Sequence, residues 1–102
     1  MHLVQLFLPL YDNDGRVFPK ASFDAVRATL SERFGGVTAF VRSPAVGEWE
    51  DDDGVRRRDD VILVEVMCES LERAWWRDYA ATLARDFAQD EILVRALDVE
   101  TL

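Results

Sequence analysis

Four polar side chains, Gln5, Arg42, Glu65 and Arg95, sit inside stretches that are otherwise almost wholly apolar. Gln5 interrupts LVQLFLPL, Arg42 closes GVTAFVR, Glu65 divides VILVEVMC and Arg95 follows Ile92-Leu93-Val94. A carboxylate among apolar neighbours is costly to ionise and suits a general base. An arginine in the same setting offers a planar fork for an anion. These four are the candidate ligand-binding residues, with Glu65 the candidate catalytic base and Arg42 or Arg95 the anion holder. A structural ion pair between Glu65 and an arginine explains the same residues without any chemistry.

Other chemistries find little support. A metal or haem site needs a cluster of His, Cys or carboxylate ligands, and the chain holds one His and one Cys. His2, beside the initial Met, is expected to be frayed or on the surface. Cys68 is expected in the core rather than as a nucleophile. The turns DNDG and EDDDG invite a calcium reading, but an EF-hand loop needs an acid at its first position and a Glu six residues after its Gly. Aligned on Gly15 those places are Leu10 and Ala21, and aligned on Gly54 they are Trp49 and Asp60. No metal or cofactor is expected.

Twenty acidic against twelve basic residues give a net charge of -8 over 102 residues. Nucleic-acid affinity rests on phosphate contacts, and the only basic run, Arg56-Arg57-Arg58, is flanked by acids. No nucleic-acid partner is expected. No stretch approaches the roughly 20 apolar residues of a membrane span. The apolar start lacks the basic flank and cleavage site of a signal peptide. With a lone cysteine, these features point to a cytoplasmic protein of one domain, residues 1–102.

The elements that must position the four residues follow from periodicity. Leu3 to Leu10 reads as a central strand, and Asp12 to Gly15 as a turn. A helix is expected from about Ser22, its N-cap, to Phe34, with Asp24 in the first turn and Gly35-Gly36 as a left-handed stop. Val37 to Ser43 is the second strand, ended by Pro44. A charged hairpin follows, and a two-residue Asp53-Gly54 turn would set Glu50 opposite Arg57 and Trp49 opposite Arg58. Acid then faces base along the arm, although the tip over 48–60 also offers an acidic partner surface. Asp60 to Glu69 is a third strand. Ser70 caps a second helix whose apolar face runs through Trp75, Tyr79, Leu83 and Phe87, with Ala88 alongside. Ile92 to Val99 is the last strand.

The order β-α-β-β-α-β predicts an α+β, ferredoxin-like sandwich: a four-stranded antiparallel sheet, order 4-1-3-2, with both helices on one face. A period of two sorts the strands. Val4, Leu6, Leu8, Ile62, Val64, Val66, Cys68, Ile92, Val94 and Ala96 carry no charge and should meet the helices. The opposite set contains all four polar candidates among apolar neighbours such as Phe7, Phe40, Leu63 and Leu97. So apolar a face implies an interface or a ligand site.

FGGVTAFVRSPAVGEW, the RRDD before the third strand, VEVM and AWWRDY resemble an uncharacterised family of small bacterial proteins, over the whole chain and with no catalytic residues to carry over. At the level of fold the chain is similar to dimeric α/β-barrel proteins, which include cofactor-independent monooxygenases, isomerases, haem-degrading enzymes and ligand binders. Fold does not by itself set function. The resulting expectation is a homodimeric ligand-binding or interaction module using the open sheet face. The alternative is a cofactor-independent monooxygenase- or isomerase-like enzyme acting on a small organic substrate.

Overall fold

The computed structural model describes residues 1–35, 37–42, 48–50, 56–58 and 61–102, with 37–42, 48–50 and 56–58 described by backbone alone. The elements are β1 (His2–Pro9), α1 (Lys20–Phe34), β2 (Val37–Arg42), β3 (Glu48–Glu50), β4 (Arg56–Arg58), β5 (Val61–Cys68), α2 (Arg73–Asp86) and β6 (Val94–Asp98). Four strands form an antiparallel sheet in the order β2-β5-β1-β6, and β3 pairs with β4 separately. The fold is mixed α+β, with two helices among the described residues.

β1 and β5 pair along their full length, from His2 opposite Cys68 to Pro9 opposite Val61. Central strands buried on the helix side need apolar residues there, and Val4, Leu6, Leu8, Ile62, Val64 and Val66 are all buried. They form one core with Val26 and Leu30 of α1, Trp76 and Leu83 of α2, and Phe87 and Ile92 beyond it. Both helices therefore cover the same face. The core also contains an aromatic seam: Phe34 stacks on Trp76 at 5.1 Å, and Trp75 stacks on Tyr79 at 5.0 Å.

Both helix starts differ from the sequence-based expectation. α1 begins at Lys20 behind Pro19, whose extended φ of -60° and ψ of 147° set the entry, and the Ser22 amide donates to the Pro19 carbonyl. Ser22 thus lies inside the first turn, and Asp24 meets Lys20 at 3.0 Å instead of serving as a capping acid. A proline with a fixed φ sets the boundary three residues earlier than the Ser22 cap would. α2 begins after Glu72 rather than Ser70, with no side-chain cap. The Glu72 carboxylate is drawn away by Arg33 at 3.0 Å, whose guanidinium also lies 4.4 Å over the Trp75 ring. The apolar face of α2 keeps Leu83 and Phe87 buried and draws in Trp76 as well. Trp76 is buried while Trp75 and Tyr79 are half-buried, and the helix ends at Asp86, leaving Ala88 with φ +50° outside it.

At the other boundaries sequence and structure meet more closely. Gly35 takes φ +80° and donates its amide to Ser31. Asp12 Oδ1 accepts from the amides of Asp14 and Arg16, both at 2.9 Å, in the turn that Gly15 closes with φ +79°. The last strand is shorter than expected, and Ile92 reaches the core from the segment before it. His2 is not frayed: it lies in β1, and its Nδ1 is 3.0 Å from Asp98 on the neighbouring strand.

The charged arm pairs Glu48 with Arg58, Trp49 with Arg57 and Glu50 with Arg56. This register is one residue away from the one a two-residue Asp53-Gly54 turn demands. Five residues, 51–55, separate the paired ends, and that connection lies outside the described residues. A one-residue slip reverses which side of the ribbon each residue occupies. Acid still stands opposite base, now at Glu48–Arg58 and Glu50–Arg56.

Candidate functional site

The strand registers place the residues on the face opposite the helices in rows that cross the sheet. Met67, Leu3 and Leu97 form one row, and Thr38, Glu65, Gln5 and Arg95 form the next. A third contains Phe40, Leu63 and Phe7, extended by Leu93, whose carbonyl accepts from the Phe7 amide. Arg42, Val61 and Pro9 form the last. Gln5, Glu65 and Arg95 are therefore direct cross-strand neighbours. Arg42 is not with them: it pairs four residues along from the Thr38–Glu65 pair, about 13 Å away at the rise of a strand. The side chains of Thr38, Phe40 and Arg42 lie outside the described residues.

Within the polar row the side chains join end to end. Arg95 Nε donates to Gln5 Oε1 at 2.8 Å, and Gln5 Nε2 donates to Glu65 Oε2 at 2.8 Å. The Gln5 amide can satisfy both neighbours in one orientation only, with its carbonyl toward the cation and its NH2 toward the carboxylate. Its dipole thus lies between the two charges, which are bridged by the amide rather than paired directly as expected. Arg95 also sits 4.9 Å over the Phe7 ring, which holds the guanidinium against the sheet. Glu65 and Arg95 stand two strand spacings apart, about 10 Å. Among the described residues the second carboxylate oxygen of Glu65 and the two Nη groups of Arg95 have no partner. The row offers a small molecule an acceptor at one end and an anion-binding fork at the other.

On either side the described side chains are apolar, and several reach water. Met67 is 42% exposed, Leu97 42% and Leu93 50%, while Leu3 and Phe7 are half-buried and Leu63 is 8% exposed. No described helix packs there. Gln5→Leu should keep the volume but remove both hydrogen bonds, leaving a carboxylate and a guanidinium to find water. Because Arg95 is exposed and rehydrates readily, the expected loss is about 1–2 kcal/mol, below the full value for bonds to charged groups. Urea unfolding at fixed protein concentration measures it, and an unchanged midpoint would show that the line contributes nothing.

Burial pushes the Cys68 thiol up, and nearby Glu72 adds to the shift. A thiol held in its neutral form suits packing rather than attack. Among the described residues no group of three metal-binding side chains occurs.

A second concavity, about 390 Å³, runs between the helices and is lined by Ser22, Thr29, Tyr79, Thr82 and Asp86 among others. Thr29 and Thr82 each donate back to the helix carbonyl four residues earlier, so their hydroxyl protons are already engaged. Burial raises the Tyr79 phenol, the Thr29 hydrogen bond lowers it, and Asp86 raises it further; the net shift is upward. Below about pH 10 the phenol is neutral in both folded and unfolded chains. As pH rises past that value, the unfolded chain loses its proton first and binds fewer protons than the native state, so stability falls. Tyr79→Phe should flatten the alkaline decline in unfolding free energy. The difference between wild type and variant isolates Tyr79 from the other groups of the chain. Identical alkaline slopes would contradict the assignment.

No protein-family model and no curated protein matches the chain, so the resemblance to a family of small bacterial proteins finds no support there. A solved structure does match: a phage SAM lyase in complex with S-methyl-5'-thioadenosine. The likeness has a TM-score of 0.59 at 15% identity and covers 95% of this chain and 80% of that one. It shows a shared fold.

Proposed function

We propose that residues 1–102 form a single ferredoxin-like module that pairs with a second copy through the open sheet face and binds a small organic ligand along the Glu65–Gln5–Arg95 row. The observation that carries this reading is the hydrogen-bonded line itself. Two opposite charges bridged by one amide cross a sheet face whose described side chains are otherwise apolar and on which no described helix packs. Exposed apolar surface of this kind favours association, and a two-fold pairing covers the same patch on both copies. The polar row then supplies orientation inside an apolar enclosure, as small-molecule sites do.

The phage SAM lyase of similar fold holds a small nucleoside thioether, which makes this ligand class the first to test. The cytoplasm is the proposed compartment, since a lone thiol stays reduced there. Among the described residues no helix is long and apolar enough to cross a membrane.

The test is an NMR titration with S-methyl-5'-thioadenosine, S-adenosylmethionine and a set of small carboxylic acids, followed at the Gln5 side-chain amide. Saturable movement of that resonance with at least one ligand, lost in Gln5→Leu and weakened in Arg95→Gln, is the expected result. A Gln5 amide indifferent to all of them would overturn the ligand-binding reading.

A further inference from the structure

On the helix side of the sheet, where α2 begins above the edge strand β6, a cleft of about 160 Å³ opens beside Arg73 and Arg77. Its apolar walls include Val4, Trp76, Val94 and Ala96. The edge position of β6 leaves room there, because no further strand lies outside it in the four-stranded sheet. A volume near 150 Å³ is enough to admit a benzene-sized body.

Two features give the cleft a preference for an anion. Arg73 and Arg77 stand one helical turn apart, so two like charges face the same side of α2. Among the described residues neither has a hydrogen-bond or ion-pair partner, although the chain carries a net charge of -8. The nearest capping carboxylate, Glu72, is bonded to Arg33 instead. The second feature is the start of α2, which has no side-chain cap, so its first-turn amides add their positive end to the same place. Trp76, only 5% exposed, contributes its ring to the apolar wall.

We propose that this cleft binds a small organic anion: a carboxylate on a flat apolar body of about one six-membered ring. The ring lies against Trp76, Val94 and Ala96, and the carboxylate meets the Arg73 and Arg77 guanidinium groups. The site is separate from the sheet-face row. Arg95 borders both, but its guanidinium is held on the other side of the sheet by Gln5 and Phe7.

Benzoate is the probe, with benzyl alcohol as its neutral counterpart, and the Trp76 indole N–H resonance, assigned with Trp76→Phe, is the readout. Benzoate should shift that resonance and the amides of residues 71–77 and 94–96 saturably, and should bind more tightly than benzyl alcohol. The double variant Arg73→Gln/Arg77→Gln should weaken benzoate about tenfold or more while leaving benzyl alcohol little changed. Both arginines are exposed, so the variant retains the fold, which its remaining resonances verify. Gln5→Leu should leave benzoate binding intact, which separates this site from the sheet-face reading. No saturable shift at Trp76, or equal benzoate affinity in the double variant, would overturn the proposal.

Discussion

Phe87→Ala is expected to lower the unfolding free energy by about 3–5 kcal/mol, a large part of the roughly 5–15 kcal/mol that holds a domain together. Phe87 is 1% exposed and, among the described residues, the largest of the fully buried side chains. Its ring meets Phe18 at 5.0 Å and Phe23 at 5.5 Å, so it ties the end of α2 to the segment entering α1 and to α1 itself. Alanine there opens a cavity between three chain segments and forfeits two ring contacts. Urea unfolding at a fixed protein concentration is the check. Phe18→Ala should cost less, because Phe18 is half-buried and its partners can close over the gap. Equal costs at the two positions would mean that the end of α2 is not the anchor of this end of the core.

Met67→Glu combined with Leu97→Glu is expected to abolish self-association while leaving the fold intact. Both residues are 42% exposed and flank Leu3 in one row. Two carboxylates per copy, buried against their symmetry mates, would face desolvation and like-charge repulsion together. The expected weakening is on the order of a hundredfold or more, from roughly 3 kcal/mol or more of unfavourable free energy across the interface. In the monomer the same side chains stay in water and cost little. Sedimentation of wild type and variant over a range of concentrations measures the change, and a variant that associates like wild type would place the interface elsewhere.

Much of this architecture was legible because the strands obey a period of two and the helices a spacing of three and four. Val4, Leu6 and Leu8 could be assigned to the core from parity alone, and so could the opposite placement of Gln5, Glu65 and Arg95. Parity says nothing about register, however. Arg42 shares a face with Glu65 by alternation, yet strand pairing sets it four residues further along. The same blindness affected the charged arm, where complementary charges at Glu48–Arg58 and Glu50–Arg56 tolerate either of two neighbouring registers. The helix starts depart from the capping rule that Ser22 and Ser70 satisfy, because Pro19 precedes α1 and the Arg33–Glu72 contact, a tertiary feature, lies at the start of α2. The cleft beside Arg73 and Arg77 left a trace in the sequence, two arginines one turn apart. Its other wall comes from β6, some twenty residues away, and only the sheet order brings the two together.

The most direct test of the open-face reading is the mass of the protein in solution by light scattering. Twice the 11.7 kDa of one chain, with Met67→Glu/Leu97→Glu at the single-chain mass, is the predicted result. A wild-type protein that stays at 11.7 kDa as concentration rises would contradict it, for the apolar rows around Gln5 would then stand uncovered by a second copy.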